Sequence, residues 1–140
     1  MVNEIIKGIS IALNAAFGDE YEIYADDVKQ GLNDGSFFIN SLEFEVSPLL
    51  GGRALRINPF DILYFPKTEN VHMECYSVAE SMLDPLRLIT LPNGDRLLGT
   101  GMRYELQDDV LHFFVNYNHT RRVTTEESAM ESLDLETGTV

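Results

Sequence analysis

The sequence predicts an α+β fold with two helices packed on one face of a mainly antiparallel sheet. Two amphipathic helical stripes, several β-rich segments and one strongly patterned hairpin carry this reading. The hairpin is MRYELQDDVLHFFVNYN, residues 102–118, folding back about Asp108-Asp109. If residue i faces residue 217 − i, Met102 meets Val115, Tyr104 meets Phe113 and Leu106 meets Leu111, so one face is wholly apolar. The other face pairs Arg103 with Phe114 and Glu105 with His112. A one-sided hairpin must be covered, and the two helices supply the cover.

The first helix is expected over 4–17, where Ile5, Ile6, Ile9, Ala12, Leu13, Ala16 and Phe17 recur at helical spacing. Asn3 stands where a cap belongs, and Gly18 where a left-handed residue ends a helix. YEIY (21–24) is a short strand and SFFINSLEFEV (36–46) a longer one, with Glu43 and Glu45 on one side. SPLLGGRALR (47–56) joins two exposed leucines, two glycines and two arginines in a chain otherwise poor in cations; it is either a connection or a contact site. INPFDILYFP (57–66) is an apolar strand that tolerates Pro59 near its start and ends at Pro66. Val71, Cys75, Val78, Ala79, Met82, Leu83 and Leu86 form the second helical stripe, capped near Asn70 and kinked or ended by Pro85. LITLPNGDRLLG (88–99) turns at Asn93-Gly94, and the final hairpin completes the order α-β-β-β-α followed by a β-meander.

At 140 residues, with 44% hydrophobic residues, the chain has the size and core of one domain. That domain is expected over 1–123; residues 124–140, TTEESAMESLDLETGTV, hold five acids and no base and read as a disordered acidic tail. Ten Lys and Arg against 23 Asp and Glu leave a formal charge of −13, which disfavours tight nucleic-acid binding because phosphate contact needs clustered cations. The single Cys75 rules out an internal disulfide and a cysteine-rich zinc site, and suits a reducing compartment. No apolar run approaches the ~20 residues of a membrane span, and MVNEIIKG lacks the basic segment of a secretion signal, so a cytoplasmic protein is expected.

The residue types that carry catalysis are present without their partners. His72-Met73-Glu74 matches half of a zinc deaminase signature, but the paired thiolates are missing and Cys75 falls on an apolar stripe. His112 opposite Glu105 reads as a cross-strand ion pair, and His119 has no evident nucleophile or metal partner. Asp26-Asp27 and Asp108-Asp109 lack calcium-loop spacing, while Gly51-Gly52 and Gly99-Thr100-Gly101 lack the setting of a phosphate loop. The many Phe and Tyr residues, without interleaved cations, read as core, with enough apolar surface left over for another subunit to cover part of the sheet. The reading is therefore non-enzymatic, with no cofactor and no metal.

Taken together, EIIKGISIALNAAFGDEYEIY, RINPFDILYFP, ECYSVAE and LHFFVNYN resemble the tail terminator-like proteins of phages and prophages of low-GC Gram-positive bacteria, over residues 1–123. The resemblance implies a structural protein of the virion tail, assembled in the host cytoplasm. Such a protein forms a ring, typically a hexamer, on the end of the tail tube, stops its polymerisation and presents a surface to the head-completion or connector protein. DNA passes through such a ring without tight binding. Cyclic rings use head-to-tail interfaces between two different patches. On that basis Leu49, Leu50, Arg53 and Arg56 are candidates for a contact with a neighbouring subunit or the tube, and Asp26, Asp27, Glu43 and Glu45 for an acidic ring lumen that repels DNA. Two alternatives stay open from the residues alone: a homodimeric adaptor using the apolar sheet face, and a small-molecule-binding domain with His112 and Glu105 at the mouth of an aromatic pocket.

Overall fold

The computed structural model describes residues 1–25 and 33–122. The expected acidic tail, 124–140, and the pair Asp26-Asp27 lie outside the described residues. In chain order the elements are α1 (Val2–Phe17), β1 (Glu22–Tyr24), β2 (Ser36–Ser41), β3 (Glu45–Pro48), β4 (Arg53–Ile57), β5 (Pro59–Phe65), α2 (Val71–Arg87), β6 (Leu88–Thr90), β7 (Arg96–Gln107), β8 (Val110–Tyr117) and β9 (His119–Arg122). Six strands form one sheet in the order β1-β2-β5-β8-β7-β6, and β3-β4-β9 form a small second sheet. Only β1 and β2 run parallel among these pairings. The fold is α+β with both helices on one side, as the hydrophobic patterning requires.

Strand alternation builds the core. Phe37, Ile39, Phe60, Ile62, Tyr64, Leu111, Phe113, Val115 and Tyr117 all point to the helix side and are fully buried or nearly so. Ile5, Ile9 and Leu13 of α1 and Cys75, Val78, Ala79, Met82 and Leu86 of α2 close over them. The intervening positions, such as Phe38, Leu63, His112 and Phe114, lie on the opposite, half-buried face.

The last hairpin has the expected register from Arg103–Phe114 to Gln107–Val110, with Asp108 and Asp109 in the left-handed region at φ 53° and 62°. The expected pairing of Met102 with Val115 does not form. A bulge between Thr100 and Arg103, with Gly101 at φ 62°, shifts the register, and Thr100 pairs with Asn116 instead. The expected strand 36–46 divides as well, into β2 and β3, which belong to different sheets; β3 pairs with β4, so SPLLGGRALR is a hairpin and not a loop.

Helix ends also differ from expectation. α1 starts at Val2, ahead of Asn3, without a side-chain cap. α2 starts after Asn70, and again the Asn side chain makes no capping bond. Its first turn is held by Glu74, whose carboxylate accepts hydrogen bonds from the Lys67 and Thr68 amides, from Thr68 Oγ1 at 2.7 Å and from Tyr64 Oη at 2.5 Å. Pro85 lies inside α2, which ends two residues later at Arg87.

Where α2 ends, Leu86 lies against β7 at Gly99. A Cβ at Gly99 would stand 2.6 Å from the Leu86 carbonyl oxygen, 3.0 Å from Val115 Cγ2 and 3.2 Å from Tyr117 Cε1. The same carbonyl accepts a 2.6 Å hydrogen bond from the buried Tyr117 hydroxyl. Gly99→Ala is therefore expected to cost about 2 kcal/mol of stability, because backbone and packed side chains must move apart; denaturant unfolding measures it.

Burial raises the pKa of Glu74, but the hydrogen bonds from Tyr64, Lys67 and Thr68 outweigh it and hold the carboxyl below its ordinary value of 4.5. A depressed folded pKa stabilises the fold above the unfolded value and loses that contribution as pH falls through the folded value. Glu74→Gln is expected to cost about 2 kcal/mol at neutral pH, since charged hydrogen bonds are lost. The gap between the wild type and this variant should close below about pH 4, as denaturant titrations at several pH values will read.

Candidate assembly surface

Two strands pass from one sheet into the other. β4 leads into β5 and β8 into β9, and paired residue numbers sum to 175 on both sides of the joint, as in Phe60 with Val115 and Arg56 with His119. Asn58 makes the joint. Its backbone carbonyl accepts from the Tyr117 amide at 2.9 Å, and its side-chain amide donates to the Tyr117 carbonyl at 3.0 Å. The backbone groups thus stay satisfied through the joint. The small sheet extends the large one as an arm, and it packs extensively on neither helix.

The turn of the β3–β4 hairpin forms the tip of this arm. The Leu49 amide donates to the Arg53 carbonyl at 2.8 Å, and Gly51 and Gly52 take φ of 77° and 73°, which glycine adopts without steric cost. This turn leaves Leu50 92% exposed, beside an exposed Leu49. Phe44 and Val46, on the approach to the tip and on β3, are exposed too. A three-stranded sheet with this much open apolar surface is a candidate contact surface.

Charge is concentrated on the same arm. Arg53 stands opposite Arg122 in the ladder, Ala54 opposite Arg121 and Arg56 opposite His119. Four of the chain's ten Lys and Arg residues therefore occupy the β4–β9 pair. The Arg56 guanidinium lies 4.9 Å from the centroid of the Phe44 ring, and its Nε is buried with no hydrogen-bond partner among the described residues. By the two-residue period, Glu45 shares a face with Ile57, and Arg56 shares the other face with Val46. Arg53 lies on the Glu45 face, towards the tip.

The candidate contact residues Leu49, Leu50, Arg53 and Arg56 thus come together on the arm, and the exposed Glu43 and Glu45 come with them. Asp26 and Asp27, the other candidate lumen acids, lie outside the described residues. Residue-level reasoning missed Phe44 and Val46 as parts of this surface, and missed that β9 joins the arm. A usable signal existed in Arg121-Arg122, the one adjacent pair of cations in the sequence.

A second apolar feature lies on the body. α1 and the junction of α2 with β6 leave an open groove of about 390 Å³ lined by Gly8, Ile11, Ala12, Ala15, Pro85 and Leu88. Ile11 and Leu88 are 58% and 45% exposed. No sequence period reveals this groove, because residues 8–15 and 85–88 meet only through packing.

His72 and His112 each lie beside a carboxylate. His112 Nδ1 lies 2.8 Å from Asp61 Oδ2 of the neighbouring β5, and this pair replaces the expected partnership with Glu105. Glu105 instead accepts from Gln107 at 2.5 Å and lies 3.8 Å from Arg103, whose guanidinium covers Phe114 at 4.0 Å. His72 lies 3.8 Å from Asp109 on the surface. Among the described residues no group of His, Cys, Asp and Glu is arranged to hold a metal ion, and no helix is long and apolar enough to cross a membrane. The aromatic interior is filled by its own side chains, and Cys75 is buried among them.

No curated protein matches the chain. The family described as phage tail terminator protein matches residues 4–130, which covers both sheets, both helices and the arm. The chain belongs to the phage tail terminator protein family, a structural and non-catalytic family of the phage tail.

Proposed function

We propose that this protein caps the tail tube as a ring of identical subunits, a hexamer, that ends tube polymerisation and presents the surface on which the head-completion or connector protein docks. Residues 1–123 act as one domain in this reading, with 124–140 as an acidic extension. The observation that carries it is the arm, an apolar and cationic projection on a chain of formal charge −13. A cyclic assembly needs two different patches per subunit, and a projecting arm provides one that its own body does not cover.

Arg53 and Arg56 contact a neighbouring subunit or the tube. Asp26, Asp27, Glu43 and Glu45 line the lumen, where a negative wall repels the travelling DNA and keeps it from adhering. The opposite facing of Glu45 and Arg56 supports this division, since one strand pair can turn an acid towards the channel and a cation away from it. Arg53, on the Glu45 face but nearer the tip, fits a contact made by the end of the arm.

Replacing Arg53 and Arg56 together by Glu is expected to weaken ring formation and tube capping on the order of 100-fold, because like charges brought together at an interface cost several kcal/mol. Mass measurement across protein concentration and electron microscopy with polymerising tube subunits read both effects. Unchanged assembly and capping would remove the arm's arginines from the contact, and a ring with Glu43 and Glu45 on its outer rim would overturn the lumen assignment.

A further inference from the structure

Among the exposed apolar features of the described residues, two differ in form. One is a projection, Leu49-Leu50 on its glycine turn. The other is a recess, the groove between α1 and the α2–β6 junction with Ile11 and Leu88 at its rim. The arm that carries the projection leaves β5 and β8 at the end where Tyr117 meets the Leu86 carbonyl, and it makes no extensive contact with either helix. A projection and a recess on separate parts of one chain are the two halves of a head-to-tail contact, whereas a two-fold contact would set one patch against itself.

Charge selects the occupant. β4 places Arg53 and Arg56 on the arm, and cations there call for an acidic partner. The body of this same chain is acidic: exposed Asp84 adjoins Pro85 of the groove, and Asp19 and Glu20 follow the end of α1 just beyond Ala16, with the exposed cations Lys7 beside Gly8 and Arg87 beside Leu88. Duplex DNA would satisfy the arginines but offers nothing to an exposed Leu50, and Glu43 and Glu45 on the same arm would oppose it.

We infer that the arm docks on a second copy of this chain, its Leu49-Leu50 tip seated in the neighbour's groove between α1 and the α2–β6 junction. This rests on the ring reading for its biological setting, and it names the two patches that the ring uses. Each subunit gives its arm to one neighbour and its groove to the other. The arm's arginines then face the acids at the groove's ends, and its leucines lose their contact with water.

The test is a double variant, Leu50→Cys with Ile11→Cys, oxidised mildly at a concentration where the wild type assembles, alone and with tail tubes. Both positions are largely exposed, so the fold should keep its melting temperature, and the native Cys75 is fully buried and takes no part. The expected result is a ladder of covalent multimers from the double variant, with neither single variant going beyond a dimer. Absence of that ladder overturns the docking, as does capture of the tube subunit by Leu50→Cys in its place, or retention of Leu50→Cys on duplex DNA at physiological salt with no link to a second copy. A ladder that closes at two copies, each tip in the other's groove, would overturn the head-to-tail docking and remove the ring. A ring seen by microscopy without the Leu50–Ile11 link would retain the ring and overturn the docking.

Discussion

The structure depends on one hydrogen-bonded ribbon, the pairing of 53–64 with 111–122, which keeps a single register through both sheets. Asn58 carries it across the joint with two bonds to Tyr117, one from its backbone and one from its side chain. Tyr117 in turn reaches the end of α2 through its hydroxyl on the Leu86 carbonyl, and burial pushes that phenol's pKa up, so it stays a neutral donor. Arm, sheet and second helix are therefore tied at one place. A slip of one residue in this ribbon would turn Phe60, Ile62, Phe113 and Val115 away from the helices.

The two faces of the large sheet solve different problems. On the helix side, stiff aromatic and aliphatic side chains interlock, with Phe37 and Tyr64 rings 5.0 Å apart and Phe17 5.0 Å from Phe37. On the other side charge is neutralised close to its source: Asp61 holds His112, and Arg103 lies over Phe114 while close to Glu105. The His112–Asp61 pair has the hydrogen-bond geometry of a catalytic dyad, yet no nucleophile accompanies it among the described residues. Its chemistry is that of a largely buried polar contact through one Asp61 oxygen, the other having no hydrogen-bond partner among the described residues, in keeping with a structural, non-catalytic family.

Local patterns made much of the fold legible. The 3.6-residue stripes located α1 and α2, and Asp108-Asp109 with its flanking alternation gave the hairpin register for five consecutive pairs. What local reasoning missed has physical causes. Asn3 and Asn70 look like caps, but a side chain caps only if the preceding chain approaches correctly, and at α2 Glu74 gathers the loop amides instead. The segment 36–46 reads as one strand because β-propensity does not record which sheet a residue joins. Of the arm, Leu49, Leu50, Arg53 and Arg56 were visible as an unusual cluster, whereas β9 joined it only through cross-strand pairing.

By itself the sequence determined the fold class, the covered face of the sheet and the lack of an internal disulfide, because hydrophobic period and residue type are local properties of the chain. Tertiary structure decided that the leucine-arginine segment is the tip of an arm, that His112 answers to Asp61, and that α1 and Leu88 enclose a groove. Each of these joins residues dozens of positions apart, and their proximity arises from strand order and helix packing, which no window of neighbouring residues contains.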